Sequence, residues 1–278
     1  AYNSITTRSL TTSYTDNFNA LTENNEESIF EFQASKAPGL DNVWLFNDGP
    51  WRGVETMSTY WGFYTTVGNA ARNNLGGETW RVTEKVFNAH GTDPRIAFFT
   101  NEERSFTKYG HESLDELSAG FLPASQNNPR ILRFADIKLV AAEAMVRSGG
   151  SKSEAIGLIN EVRTRARDWA MAADSIAAIS ELPEDRDVSE TNDATIMQWI
   201  MEERLIELCG EENKRWWDLK RWDAAGDVNL SSWTGDINGF STDLSANFQF
   251  EYPTHLLLPI PQVEIERNSA ITENNPGY

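Results

Sequence analysis

Cysteine is almost missing from this 278-residue chain. Its single Cys209 excludes a disulfide framework, a Cys-rich metal site and an iron–sulfur cluster, although the scarcity does not fix a compartment. Histidine is nearly as rare: His90, His111 and His255 lie far apart, without metal-ligand spacing. Cations are short as well. The 24 Lys+Arg against 42 Asp+Glu leave a formal charge of −18, which repels phosphate backbones and anionic lipid and speaks against nucleic acid as a partner. No apolar run approaches the roughly 20 residues of a membrane-spanning helix. The start of the chain lacks the charged and apolar regions of a signal peptide, and the polar stretch Ala1 to Thr22 reads as the middle of a mature or truncated chain. In surplus is tryptophan, ten residues against seven tyrosines, and that surplus calls for a reason.

Along the chain, Glu27 to Gln33 alternates as a short strand does, with Phe30 and Phe32 on one face and Ile29, Glu31 and Gln33 on the other. Ala34 to Gln126 is rich in Gly, Asn, Pro and aromatics, with weak helical periodicity apart from a turn or two around Met57 to Thr65. Loops of this length inside a compact domain usually carry function. After Asn127-Asn128-Pro129 the pattern becomes helical. Arg130 to Arg147 predicts a helix buried on most sides, with Ala135, Leu139, Ala142 and Met145 aligned, and Gly149-Gly150 ends it. Ser151 to Glu154 forms a capping box for a second helix carrying Ala155, Leu158, Ile159, Val162, Ala166 and Trp169.

A third helix is expected from about Ala194 to Cys209, stopped by Gly210, and a fourth carries Trp216, Leu219 and Trp222 up to Gly226, with Glu211-Glu212 at its positive end. Two αα-hairpins joined by small-residue turns resemble tetratricopeptide repeats, without their W-x₂-L-G signature. The tail Leu256-Leu-Leu-Pro-Ile-Pro261 predicts an extended segment lying on the core. The fold class is therefore mainly α: tetratricopeptide-like helical hairpins with long irregular loops and short strands. We divide the chain into a loop-rich aromatic part (1–126), helical hairpins (127–226) and a loop with an extended tail (227–278).

No catalytic constellation stands out. H-E-x-x-H, G-x-S-x-G and Walker A patterns are absent. Ser105-Phe-Thr-Lys108 matches only the bare S-x-x-K of penicillin-interacting enzymes. Glu102-Glu103 and Glu202-Glu203 are the adjacent carboxylates expected by chance in so acidic a chain, and Asp236, Asn238 and Asp243 around Gly239 lack the closing Glu of a calcium loop. No catalytic residue, metal ligand or cofactor is expected, and the chain is not expected to be an enzyme.

The tryptophans divide into two sets. Trp169, Trp199, Trp216, Trp217 and Trp222 fall on the helical pattern, where packing between helices explains them; Trp44, Trp51, Trp61, Trp80 and Trp233 fall in loops. Asp41-Asn-Val-Trp-Leu-Phe-Asn-Asp-Gly-Pro-Trp-Arg52 mixes flat rings with amides, carboxylates and a guanidinium. A sugar presents an apolar C–H face to an indole and a hydroxyl rim to polar side chains. The candidate ligand-binding residues are thus Trp44, Trp51, Tyr60, Trp61 and Trp80, with Asn47, Asp48 and Arg52 for the rim.

Four stretches, in order, resemble the C-terminal half of the SusD/RagB family, the surface glycan-binding lipoproteins of Bacteroidetes. They are Asn24-Asn-Glu-Glu-Ser-Ile-Phe-Glu-Phe-Gln33; Asp93-Pro-Arg95 with Asn128-Pro-Arg-Ile-Leu-Arg-Phe-Ala-Asp-Ile-Lys-Leu-Val-Ala-Ala-Glu-Ala144; Glu202-Glu-Arg-Leu-Ile-Glu-Leu208 with Arg215-Trp-Trp-Asp-Leu-Lys-Arg221; and Leu257-Leu-Pro-Ile-Pro-Gln262 with Asn274-Asn-Pro-Gly-Tyr278. The resemblance implies a non-catalytic protein of the outer-membrane surface that captures an oligosaccharide and delivers it to a SusC-like TonB-dependent transporter. It implies a family N-terminal half, with the lipid-bearing Cys and further helices, that has no counterpart here, so membrane attachment would come only through an anchor outside this chain. The acidic surface makes a neutral glycan the expected ligand. Three alternatives stay open: a peptide or other nutrient as ligand, a glycoside hydrolase, and a helical adaptor.

Overall fold

The computed structural model describes residues 2–34, 82–98, 104, 108–109, 127–172, 181–212, 214–232 and 250–278. It divides into two compact units, one formed by 1–82 with 86–214 and the other by 83–85 with 215–278. In the first, strands β1 (Ser28–Glu31) and β2 (Arg130–Arg133) pair antiparallel, with Ser28 opposite Arg133 and Glu31 opposite Arg130. Helix α1 (Glu84–His90) starts at the junction of the units, and the first unit continues with α2 (Phe134–Arg147), α3 (Lys152–Ala172) and α4 (Asp193–Glu207). Helix α5 (Lys214–Ala225) opens the second unit and α6 (Gln262–Arg267) lies near its end.

The α2–α3 hairpin forms as the periodicity predicts. Ala135, Leu139, Ala142 and Val146 of α2 meet Ala155, Ile156, Ile159 and Val162 of α3, and Ile196, Met197 and Ile200 of α4 complete this core. Alanines at the contact let the helix axes approach closely, so the larger Leu and Ile side chains interlock. Gly149, at φ +70°, turns the chain between the helices as a residue with a Cβ rarely does. Ser151 Oγ accepts the Glu154 amide at 3.2 Å, and Asn192 Oδ1 caps α4 through the Thr195 amide at 3.1 Å.

Two expectations need correction. Arg130 to Arg133 is strand, not the first turn of a helix: Arg130 and Arg133 are needed side by side as buried ion-pair partners of β1 and α4. Helix α2 is buried on most sides as expected, with Val140 and Ala144 facing outward. The segment Leu257 to Pro261 does not lie on a core, and Leu258 is 83% exposed. Instead it is clasped by the end of the chain. Tyr278 Oη donates to Leu257 O (3.1 Å), Asn275 Nδ2 to Leu258 O (2.6 Å), and Asn274 Oδ1 accepts the Ile260 amide (2.7 Å).

Gly277 makes this clasp possible. It sits at φ +95°, and a Cβ there would stand 2.3 Å from Thr254 Oγ1. Gly277→Ala is expected to open the clasp at a cost of about 1–3 kcal/mol, read as faster hydrogen exchange of the Ile260 amide. Unchanged protection would show that the clasp does not depend on this glycine.

Candidate functional site

The segment carrying the sequence-predicted ligand residues is framed by two anchored stems. At one end the Ala34 amide donates to Asn128 Oδ1 (2.7 Å); at the other the Val82 amide donates to Arg104 O (3.0 Å). Trp44, Asn47, Asp48, Trp51, Arg52, Tyr60, Trp61 and Trp80 all lie between these stems and outside the described residues, as does the helical turn expected near Met57. Trp233 and the Asp236 to Asp243 turn also lie outside them.

A buried ion network is centred on the C-terminal end of α4. Glu203 and Glu207 are one helical turn apart on one face, and Glu211 continues the line after Gly210 ends the helix at φ +78°. Glu207 Oε1 accepts from Arg133 Nη1 (2.6 Å) and from Arg165, while Oε2 accepts from Arg95 Nη1 (2.7 Å). Glu203 bridges Arg95 (2.6 Å) and Arg163 (2.7 Å). Glu211 bridges Arg133 (2.7 Å) and Lys108 (2.7 Å), and Glu27 on the lip of β1 bridges Arg133 (2.6 Å) and Arg165 (2.8 Å). Asp93 completes the set by pairing with Arg95 (2.7 Å).

Five cations meet five carboxylates, so the buried charge balances. That balance is what makes such a network tolerable in a low-dielectric interior. Rings of Tyr14 and Phe18 line it: the Arg165 guanidinium stands 4.6 Å from the Tyr14 centroid and Lys108 Nζ 4.6 Å from that of Phe18. Phe98 and Trp169 stack alongside at 5.3 Å.

Ionisation follows the same geometry. Burial alone would raise the Glu27 carboxyl, but Arg165 and Arg133 override it and hold it at about 2. The same contest, won by Arg165, Arg133 and Arg95, holds Glu207 far below the usual carboxylate range. Burial lowers His90 to about 4, so at neutral pH its imidazole is uncharged and Nδ1 donates to Val86 O (2.8 Å). Glu212 goes the other way: burial, and then the charge of Glu211, push it up to about 7.

This arrangement gives several motif residues structural work. Lys108 of the S-x-x-K stretch donates to Glu207 O (3.0 Å), Cys209 O (2.8 Å) and Glu211, so its ammonium is fully committed. Glu202 and Glu203 turn to different partners, Arg186 and Arg95, so they do not act as a carboxylate pair. Glu211, expected to sit against the positive end of α5, instead ties Arg133 to Lys108. The described His, Cys, Asp and Glu residues form no group that could hold a metal ion. Of the helical tryptophans, Trp169 and Trp222 are buried and Trp199 packs beside the α2–α4 core, whereas Trp217 is 61% exposed and does not pack between helices.

Sequence reasoning missed the network. Its signal was the four-residue spacing of Glu203, Glu207 and Glu211, set against Arg163 and Arg165. Two cavities lie among the described residues. One of about 540 Å³ runs beside the Arg8 to Thr12 segment and α3, and one of about 450 Å³ lies between His90, Pro183 and Glu202.

The family model of the SusD family matches residues 7–278. The chain belongs to the SusD family. Over 154 residues it is 32% identical to SusD-like protein P2 of Formosa agariphila, a match covering 55% of this chain and 26% of that protein. Its fold is similar to surface glycan-binding protein A from Bacteroides uniformis, with a TM-score of 0.55 and 20% identity over 98% of this chain and 54% of the other. A laminarin-binding SusD-like protein gives a TM-score of 0.59 and 19% identity over 98% of this chain and 54% of that one. The chain therefore spans about half the length of these solved relatives, and its mainly helical architecture is that of the SusD superfamily. Glycan-binding proteins of the SusD family are non-catalytic.

Proposed function

We propose that this chain takes part in non-catalytic capture of a neutral oligosaccharide at the outer-membrane surface, for delivery to a SusC-like TonB-dependent transporter. The observation that carries this reading is the SusD-family match across residues 7–278; two fold relatives named for glycan or laminarin binding support it. In this reading the aromatic segment supplies the ligand platform. Trp44, Trp51, Tyr60, Trp61 and Trp80 stack on sugar faces, and Asn47, Asp48 and Arg52 bond the hydroxyl rim. The stem at Ala34 is held through Asn128, whose side chain also donates to Glu31 (3.0 Å). Capture beside a pore raises the local ligand concentration, so modest affinity suffices.

Affinity electrophoresis in laminarin gels tests the reading. Trp51→Ala and Trp61→Ala are each expected to weaken binding about tenfold, the loss of one stacking contact and its buried area. Unchanged migration of both variants in a gel that retards the parent removes those residues from the site. Release of reducing sugar from the polysaccharide would overturn the non-catalytic reading.

A further inference from the structure

Helix α5 reverses the electrostatics of the chain around it. Its twelve residues carry Lys214, Arg215, Lys220 and Arg221 against Asp218 and Asp223, within a protein of formal charge −18. Two of these cations are neutralised, Lys214 by Asp136 (2.7 Å) and Arg221 by Asp218 (2.9 Å). Lys220 is not. Its ammonium reaches only Leu256 O, at 3.5 Å, and no carboxylate among the described residues. It stands 3.9 Å from the Trp217 ring centroid and 5.5 Å from that of Trp216.

Trp217 is 61% exposed, and no described ring packs against it. Trp216, next to it in sequence, is held in place by Phe250 at 5.9 Å, and Phe250 by His255 at 5.9 Å. The Glu251 amide donates to His255 Nδ1 (2.9 Å), which places the proton of the neutral ring on Nε2.

The Lys220 ammonium lies over one face of the exposed Trp217 indole, a weak contact at a solvent-exposed site, so it can swing to the ring edge. That leaves a flat face and a positive charge for a ligand with two matching parts, an apolar ring face and a fixed negative charge. We propose that Trp217 and Lys220 form a subsite for an anionic sugar residue, its pyranose face on the indole and its carboxylate or sulfate on the Lys220 ammonium. The long-range repulsion of the acidic chain is screened beyond about 8 Å at physiological salt, whereas the Lys220 contact acts within that distance. This subsite is independent of the loop platform proposed above for neutral glycan, because it uses other residues and another ligand charge.

Calorimetric titration of the whole chain with trigalacturonate and with galactose 6-sulfate tests it, with laminaritriose and galactose as uncharged controls. At least one anionic probe is expected to bind at least tenfold more tightly than its control, and the probe that binds identifies carboxylate or sulfate as the source of charge. Raising NaCl from 50 to 500 mM is expected to weaken that binding severalfold. Trp217→Ala and Lys220→Gln should each reduce it about tenfold, and Lys220→Arg should retain it. Trp217 is exposed, and the half-buried Lys220 makes no ion pair among the described residues, so the parent circular dichroism and melting temperature should persist. The proposal is overturned if neither anionic probe binds the parent, if the controls bind as tightly, or if binding survives both Trp217→Ala and Lys220→Gln.

Discussion

Replacing Glu207 by Gln is expected to destabilise the protein by about 3–5 kcal/mol, the range for removing one partner from a buried ionic cluster. The carboxylate is fully buried and answers three guanidiniums, those of Arg95, Arg133 and Arg165. Gln keeps the shape and one acceptor but presents an amide N–H₂ to one of those cations. Five cations would then share four carboxylates in a buried site. In a chain of this size the melting temperature should fall by roughly 10 °C. Glu202→Gln is the control, because its pair with Arg186 is partly exposed and worth less than about 1 kcal/mol. Equal effects from the two substitutions would show that the network is not a keystone of the fold.

The second large effect is a change in how stability depends on pH, and Glu212→Gln should reveal it. The folded pKa of Glu212 is raised from 4.5 to about 7, so its contribution is fully present below pH 4.5 and is lost as pH rises to 7. The loss is about 3 kcal/mol at 1.36 kcal/mol per unit. His90 works in the opposite direction. Its folded pKa is lowered from 6.5 to about 4, so its contribution is present above pH 6.5 and is lost as pH falls to 4.

These two slopes overlap between about pH 4.5 and 6.5 and nearly cancel in the parent. Below that window Glu207 and Glu27 act together: both carboxyls are held below their usual range by the surrounding guanidiniums despite burial, so their contributions disappear as pH falls below 4.5. In Glu212→Gln the opposing slope is gone. Its melting temperature should match the parent at pH 4 and exceed it by roughly 8 °C at pH 8. A difference that does not change with pH would refute the assignment.

Helix existence was legible because α2, α3 and α4 bury one face each and so repeat their apolar residues every three or four positions. Ala135 to Val146 and Ala155 to Trp169 show that repeat plainly. The glycine stops were equally readable: Gly149, Gly210 and Gly226 all take positive φ, a local preference that needs no tertiary context. Misreadings arose where long-range charge overrode local pattern. Phe30 and Phe32 stand 57% and 52% exposed, while Glu31 turns inward toward Arg130. The alternation predicted which residues share a face of β1, but not that Glu31 would be buried as a partner of Arg130.

By itself, then, the sequence determined the α2–α3 hairpin, the glycine turn that closes it and the family to which the chain belongs, because each depends on residues close together or on an order of motifs. Only the tertiary structure decided which charges are buried and paired. It separated Glu202 from Glu203, committed Lys108 to the α4 terminus and left Lys220 unpaired beside an exposed indole. The tryptophan surplus is divided the same way: burial of Trp169 and Trp222 follows from helical spacing, but the exposure of Trp217 depends on what the rest of the fold leaves uncovered. The physical reason is range. Backbone preference and apolar periodicity act over a few residues, whereas a buried charge is acceptable only when its partners arrive from distant parts of the chain, as Glu27, Arg95, Arg133 and Arg165 do around Glu207.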